Sequence, residues 1–339
     1  MASTAEDLPS EIWFYIFTFI EGHDIVQSFS TLNSFFDSLL HSQYLQLHIR
    51  IKKNESNKRL PVLTWSHIDL GNIYSLSVGQ RKANCLIQFL RWNASYLICL
   101  RSLSVYLRKS KFDNHIQIIT SALQQMPSLK NIRIKYTAQF NPDIDHFEPL
   151  MTYIFSTKST IQKCSFNFRM FHYNMIVSKW SISPTLKYLN FCNTSWNNLF
   201  SILSLTPYLY SFQALIKQSD TILNKDIVLT HLKKVNLYLV CPHLIQLEML
   251  KDVAPNLESL QVQGNFSSKH PAYFNENLWY KVLNNLKYFY VNLSTYSESN
   301  SEKQVLRDYI LDLNGKVWFT WEEHIPNLYA FIKFTSVTI

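Results

Sequence analysis

The chain opens with apolar residues at helical spacing and continues with short apolar frames at strand spacing. Ile12, Ile16 and Ile20 recur every four residues with Trp13 and Phe17 beside them, a wide apolar stripe on one helix. Phe14, Tyr15 and Phe19 carry apolar surface round to its other side. Such a helix needs cover from two directions: its own neighbours on one side and a partner on the other. Pro9 suits the first turn, where its missing N–H is no loss, and Ser10 and Glu11 put polar groups at the positive end of the helix dipole. The chain turns at Glu21-Gly22-His23. Asp24 then reads as an N-cap, with Gln27 three residues on. Ile25, Phe29, Leu32, Phe36 and Leu39 follow at helical spacing, with a break at Asn33-Ser34.

Beyond residue 70 the pattern Φxx-Φ-x-Φ, with Φ apolar, starts at Ile73, Leu100, Leu129, Ile161, Leu186, Leu209, Leu232, Leu257 and Leu286. Pro-x-Leu opens four of these frames, at Pro127, Pro184, Pro207 and Pro255, and Pro326-Asn327-Leu328 hints at a last partial one. Proline ends the preceding segment and fixes the start of the next. Between frames, Ile116, Ile119, Leu123 and Met126 share one helical face, as do Leu199, Ile202 and Leu205. The unit predicted is a short strand, a turn, a helix, and then the next strand. The expected fold class is therefore α/β, with short parallel strands alternating with helices.

The N-terminal residues also carry a resemblance. Leu8-Pro9, Glu11-Ile12, Ile16-Phe17, Ile20, Asp24-Ile25, Ser28-Phe29, Leu32-Asn33 and Phe36, in that order, resemble the F-box motif over roughly the first 45 residues. The frames resemble irregular leucine-rich repeats, without their regular Asn after the strand. These resemblances imply a helical F-box at 1–45, a connecting segment at 46–70 and a leucine-rich-repeat-like solenoid at 71–339. They further imply a non-catalytic substrate receptor of an SCF-type cullin ubiquitin ligase. The F-box would dock on a Skp-type adaptor through Leu8, Pro9, Ile12, Ile16, Ile20, Ile25 and Leu32, and the repeats would bind a target protein. The alternatives are a scaffold that binds the adaptor without target degradation, or a basic solenoid that binds nucleic acid.

Composition narrows this further. With 339 residues, 47% of them hydrophobic, the chain is able to bury a sizeable core. The acidic Glu6, Asp7 and Glu11 stand where a signal peptide would carry basic residues, so an intracellular protein of cytoplasm or nucleus is expected, with no membrane partner. Five scattered cysteines, Cys85, Cys99, Cys164, Cys192 and Cys241, read as reduced thiols. The uncharged stretch between Lys187 and Lys217 is broken by asparagines and Pro207 and is too polar for a membrane span.

Charge is uneven. Residues 1–50 hold six acids and one arginine, net −5, which leaves +13 for the rest of a chain of net +8. Strand residues alternate faces, so the positions between the apolar ones predict the polar surface of the repeats. Candidate target-binding residues there are Arg133, Lys135, Lys163, Tyr188, Asn190, Lys234, Tyr238, Tyr288 and Tyr290. Their cationic, amide and phenolic groups suit a polar or acidic peptide, including a phosphorylated one.

Catalytic motifs are missing from the sequence. Five glycines build no phosphate-cradling loop, no Cys pair has zinc spacing, and His115, His146, His172 and His243 stand alone. No cofactor or metal is expected. Glu322-Glu323-His324, beside Trp318, Phe319 and Trp321, reads as part of a C-terminal amphipathic element that seals the repeats.

Overall fold

The computed structural model describes residues 5–51, 68–79, 83–107, 112–136, 147–168, 179–216, 227–240, 244–265, 281–282, 286–297, 319–324 and 327–335. The chain divides into two compact units. The first comprises Met1–Ile154 and Lys158–Arg169, and the second Phe155–Thr157 and Met170–Ile339.

The first unit begins with three short helices, α1 (Ser10–Phe17), α2 (Gly22–Phe29) and α3 (Ser34–Leu40). Trp13 and Phe17 turn inward and meet Phe29 and Phe36, with ring centroids 4.9–5.7 Å apart. Three of these pairs are edge-to-face, a geometry that contributes about 0.5–1.5 kcal/mol per pair beyond the area buried. Trp13 Nε1 also donates to the Ala5 carbonyl at 3.0 Å, which ties the residues ahead of α1 to the cluster. The break at Asn33 is a helix start: the Asn33 side chain accepts from Phe36 N at 3.0 Å and caps α3. Asp24 is not the cap expected of it. The Glu21 carbonyl accepts from Asp24 N and Ile25 N, so α2 starts at Gly22 with Asp24 already in its first turn.

Five strands follow: β1 (Leu47–Ile51), β2 (Ile73–Val78), β3 (Ser102–Leu107), β4 (Asn131–Tyr136) and β5 (Lys163–Phe168). Each pairs parallel with the next. Helices α4 (Ala83–Asn93), α5 (Phe112–Leu123) and α6 (Glu148–Ile154) alternate with them. Strand β1 lies within residues 46–70, where no frame was read, and α2 packs against it. The N-terminal helices therefore share a contact unit with the first strands.

The second unit repeats the alternation with β6 (Tyr188–Thr194), α7 (Trp196–Ser204), β7 (Ser211–Ile216), β8 (Lys234–Val240), α8 (Leu244–Val253), β9 (Ser259–Asn265) and β10 (Tyr288–Ser297). Strands β6 to β10 pair parallel in order. Strands β11 (Phe319–His324) and β12 (Asn327–Thr335) do not extend that pattern. β12 runs antiparallel to β10 and β11 antiparallel to β12, so Asn327-Leu328 starts a returning strand and not a further repeat. Glu322, Glu323 and His324 lie on β11 at this end of the second unit.

The apolar frame is the core of both units. Leu100, Leu103 and Val105 are buried, as are Leu129, Ile132 and Ile134, and Leu232, Val235 and Leu237. A hydrogen-bond signature recurs along both units. The Arg101 carbonyl accepts from Lys130 N and Asn131 N, and the Lys130 carbonyl from Gln162 N and Lys163 N. The Lys187, Tyr210, Lys233 and Glu258 carbonyls each accept two successive N–H groups in the same way. Proline sits in the turn just ahead: Leu129 N donates to Met126 O across Pro127, Leu209 N to Thr206 O across Pro207, and Leu257 N to Ala254 O across Pro255. A ring that fixes φ favours that second turn position.

Candidate functional site

Two kinds of surface stand out, an apolar helix face and the polar sides of the strands. With Trp13 and Phe17 committed inward, α1 and the turn after it leave Ile12, Tyr15 and Phe19 outward, Tyr15 at 65% and Phe19 at 73% exposure, with Leu8 and Leu32 also exposed. Tyr15 and Phe19 meet edge-to-face at 5.1 Å and lie outside the core cluster. Of the residues expected to contact an adaptor, Leu8, Pro9, Ile12 and Leu32 are exposed, and Ile16 and Ile20 are half-buried. Ile25 is wholly buried, an inward residue of the helix that packs on β1, and it has no surface to offer a partner. Tyr15 and Phe19 belong to the exposed face in its place. Their one sequence signal was apolar surface running round the far side of α1.

Thr31, in the turn that presents Leu32, has φ +63°, a left-handed conformation unusual for a β-branched residue. Its N–H donates to Asp37 Oδ1 at 3.0 Å. At the start of α2, Glu21, His23 and Asp24 bring three potential ligand atoms within 4.8 Å of one another. His23 Nε2 lies 3.0 Å from Asp24 Oδ1 and His23 Nδ1 3.6 Å from Glu21 Oε2, contacts that account for that grouping.

On β1–β5 the polar positions align in rows. One row runs Arg50, Ser77, Ser104, Arg133, Ser165, and the next His48, Ser75, Ser102, Asn131, Lys163. A third pairs Tyr106, Lys135 and Asn167. Lys135 Nζ donates to the Tyr106 hydroxyl at 2.8 Å and lies 4.9 Å from its ring centroid. The guanidinium of Arg101, just ahead of β3, lies 5.1 Å from the Tyr74 ring. Arg50 was not anticipated, because β1 was not. Arg101 occupies the second position of a frame and could have been found by reading one residue earlier.

On β6–β10 the rows are of another kind. Tyr188, Ser211, Lys234, Ser259 and Tyr288 align. The neighbouring row is Asn190, Gln213, Asn236, Gln261 and Tyr290, four carboxamides in register, with Asn190 Nδ2 donating to Gln213 Oε1 at 3.2 Å. Tyr238 pairs with Gln263 one position further on. Tyr188, Lys234, Tyr238 and Tyr288 are exposed, and Asn190 and Tyr290 half-buried. Arg133, Lys135 and Lys163 therefore belong to the first unit, and the other six target-binding candidates to the second.

No family model matches the chain, and no curated protein matches it. Among the described residues, no helix is long and apolar enough to cross a membrane. His115 is buried in α5, and His146, His172 and His243 lie outside the described residues.

Proposed function

We propose that this chain is an F-box substrate receptor of an SCF-type cullin ubiquitin ligase. The α1 face docks on a Skp-type adaptor, and the strand surfaces hold a target protein. The observation that carries the reading is the division of α1. The aromatic cluster closes the helical core from within, while Leu8, Ile12, Tyr15, Phe19 and Leu32 remain outside it. An apolar helix face of this kind is covered at little cost by a hydrophobic partner groove. In this reading the chain supplies no catalytic group. It raises the effective concentration of target lysines near a ubiquitin-charged enzyme in cytoplasm or nucleus.

Removing the N-terminal helices would uncover β1, so the test is made on the surface of the full chain. Leu8→Asp with Ile12→Asp should weaken capture by purified Skp-type adaptor at least about 100-fold, a loss of about 2.7 kcal/mol, with the circular dichroism spectrum unchanged. Equal capture by this variant and the parent chain would refute adaptor docking through α1. If the adaptor binds but the double variant leaves a bound target as short-lived as before, the chain is a scaffold and not a degradation receptor.

A further inference from the structure

We infer that the polar side of β1–β5 binds an extended acidic peptide segment lying across the strands. Its carboxylates pair with Arg50 and Arg133. The inference rests on the receptor reading only for the statement that the peptide belongs to a target.

The first argument is charge. The five strands carry Arg50, Arg133, Lys135 and Lys163 and contain no Asp or Glu. Arg101 and Lys130 add positive charge just ahead of β3 and β4. The gaps within the arginine row are filled by Ser77 and Ser104, whose hydroxyls can donate to an anion without competing with it. The second unit's rows hold Lys234 among amides, hydroxyls and tyrosines, and just ahead of those strands Glu258 holds Lys233 and Lys287 in ion pairs. The described strands β6–β10 carry a single cation, Lys234, so the cationic strand face is concentrated in the first unit.

The second argument is spacing. Arg50 and Arg133 share a row and stand three strands apart, about 14 Å at the usual ~4.8 Å between strands. An extended peptide advances ~3.4 Å per residue with alternate side chains on one side, so residues i and i+4 also lie about 14 Å apart on one face. A strand laid across the sheet therefore brings two acidic side chains onto the two guanidiniums, each able to take a carboxylate through two hydrogen bonds.

The third argument separates a peptide from a nucleic acid. Single strands of RNA or DNA need open aromatic faces for their bases as well as charge. Here the Tyr106 ring lies under Lys135 and the Tyr74 ring under Arg101, so the two tyrosines among the cations already carry cation–π partners.

The experiment measures anisotropy of a labelled alternating Glu-Ser peptide with the full chain, beside its Gln-Ser counterpart and a labelled oligouridine. The Glu-Ser peptide should bind and the Gln-Ser peptide should not. Arg50→Ser with Arg133→Ser should weaken binding at least about 10-fold, whereas Lys187→Ser, an exposed cation of the second unit outside the candidate rows, should leave it within about 2-fold. Equal binding of both peptides, an unaffected double variant, or an equal loss in Lys187→Ser would overturn the inference, the last by showing attraction to net charge alone. Tighter binding of oligouridine, lost in the same double variant, would overturn it in favour of a nucleic-acid face. Adaptor capture is read in parallel on the double variant. Capture lost by the parent chain's Leu8→Asp, Ile12→Asp form but kept here shows that the two surfaces act separately. Absent adaptor capture with peptide binding intact sinks the receptor reading and leaves the acidic-peptide face standing.

Discussion

Gly264 of β9 lies directly beside Leu239 of β8, close enough that a Cβ on the glycine would collide with the Leu239 backbone. Its φ of +136° is closed to ordinary L side chains as well. Both constraints oppose any larger residue, and the atom to be displaced is main chain, not a flexible side-chain end. Gly264→Ala should therefore destabilise by at least about 2 kcal/mol, from backbone strain and overpacking together. Urea unfolding checks this; a change in stability below about 0.5 kcal/mol would mean that β8 and β9 tolerate separation there.

Thr31 offers the opposite sign. A β-branched residue at φ +63° bears a penalty of about 1–2 kcal/mol, whereas Asn enters this region readily. The bond to Asp37 comes from the Thr31 main-chain N–H and survives the exchange. Thr31→Asn should stabilise the helical segment by about 1 kcal/mol, seen as a raised thermal midpoint. A lowered midpoint would show that the threonine side chain makes a contribution larger than its strain.

The apolar frame made most of this architecture legible, because burial at a fixed offset is a local property of sequence. Leu100 leads Leu103 and Val105, and Leu232 leads Val235 and Leu237, all buried. β1 escaped notice because Leu47, which pairs with the frame-leading Ile73, precedes Ile49 by two positions and not three, so the register of β1 against β2 shifts at Leu47/His48. Strand direction escaped for another reason. The residues of β12 read as a repeat start, but direction is fixed by nonlocal pairing, here with β10 in antiparallel register. Ile25 shows the limit at the candidate site. On a helix with apolar residues on several sides, sequence does not say which of them a neighbour such as β1 will cover.

The cysteines should separate by burial. Cys99 is exposed and Cys85 half-buried, while Cys164 fills a frame position in β5 with its thiol pushed well up by desolvation. Thiolate is the reactive form, so both burial and the raised pKa protect Cys164. Brief iodoacetamide treatment of the native chain, followed by peptide mapping, should modify Cys99 first and Cys164 only after denaturation. Native labelling of Cys164 at the rate of Cys99 would show that β5 opens readily.

The Glu258 carboxylate, just ahead of β9, receives Lys233 Nζ at 2.8 Å and Lys287 Nζ at 3.2 Å, and so ties the residues preceding β8, β9 and β10. The hydrogen bond from Lys233, then that from Lys287, holds its carboxyl below the ordinary value, against a smaller opposing effect of desolvation. A carboxyl depressed in the folded state binds its proton more weakly there than in the unfolded chain. Its contribution is therefore complete above the unfolded carboxyl's pKa of about 4.3 and fades as pH falls through the lower folded value. Glu258→Gln should lower the thermal midpoint at neutral pH, and the gap to the parent chain should close as the solution is taken below about pH 4. Because the pair is partly exposed, molar salt should shrink the same gap at neutral pH. A gap that persists unchanged in acid would place the glutamine's effect in packing or backbone contacts, and not in the two lysine ion pairs.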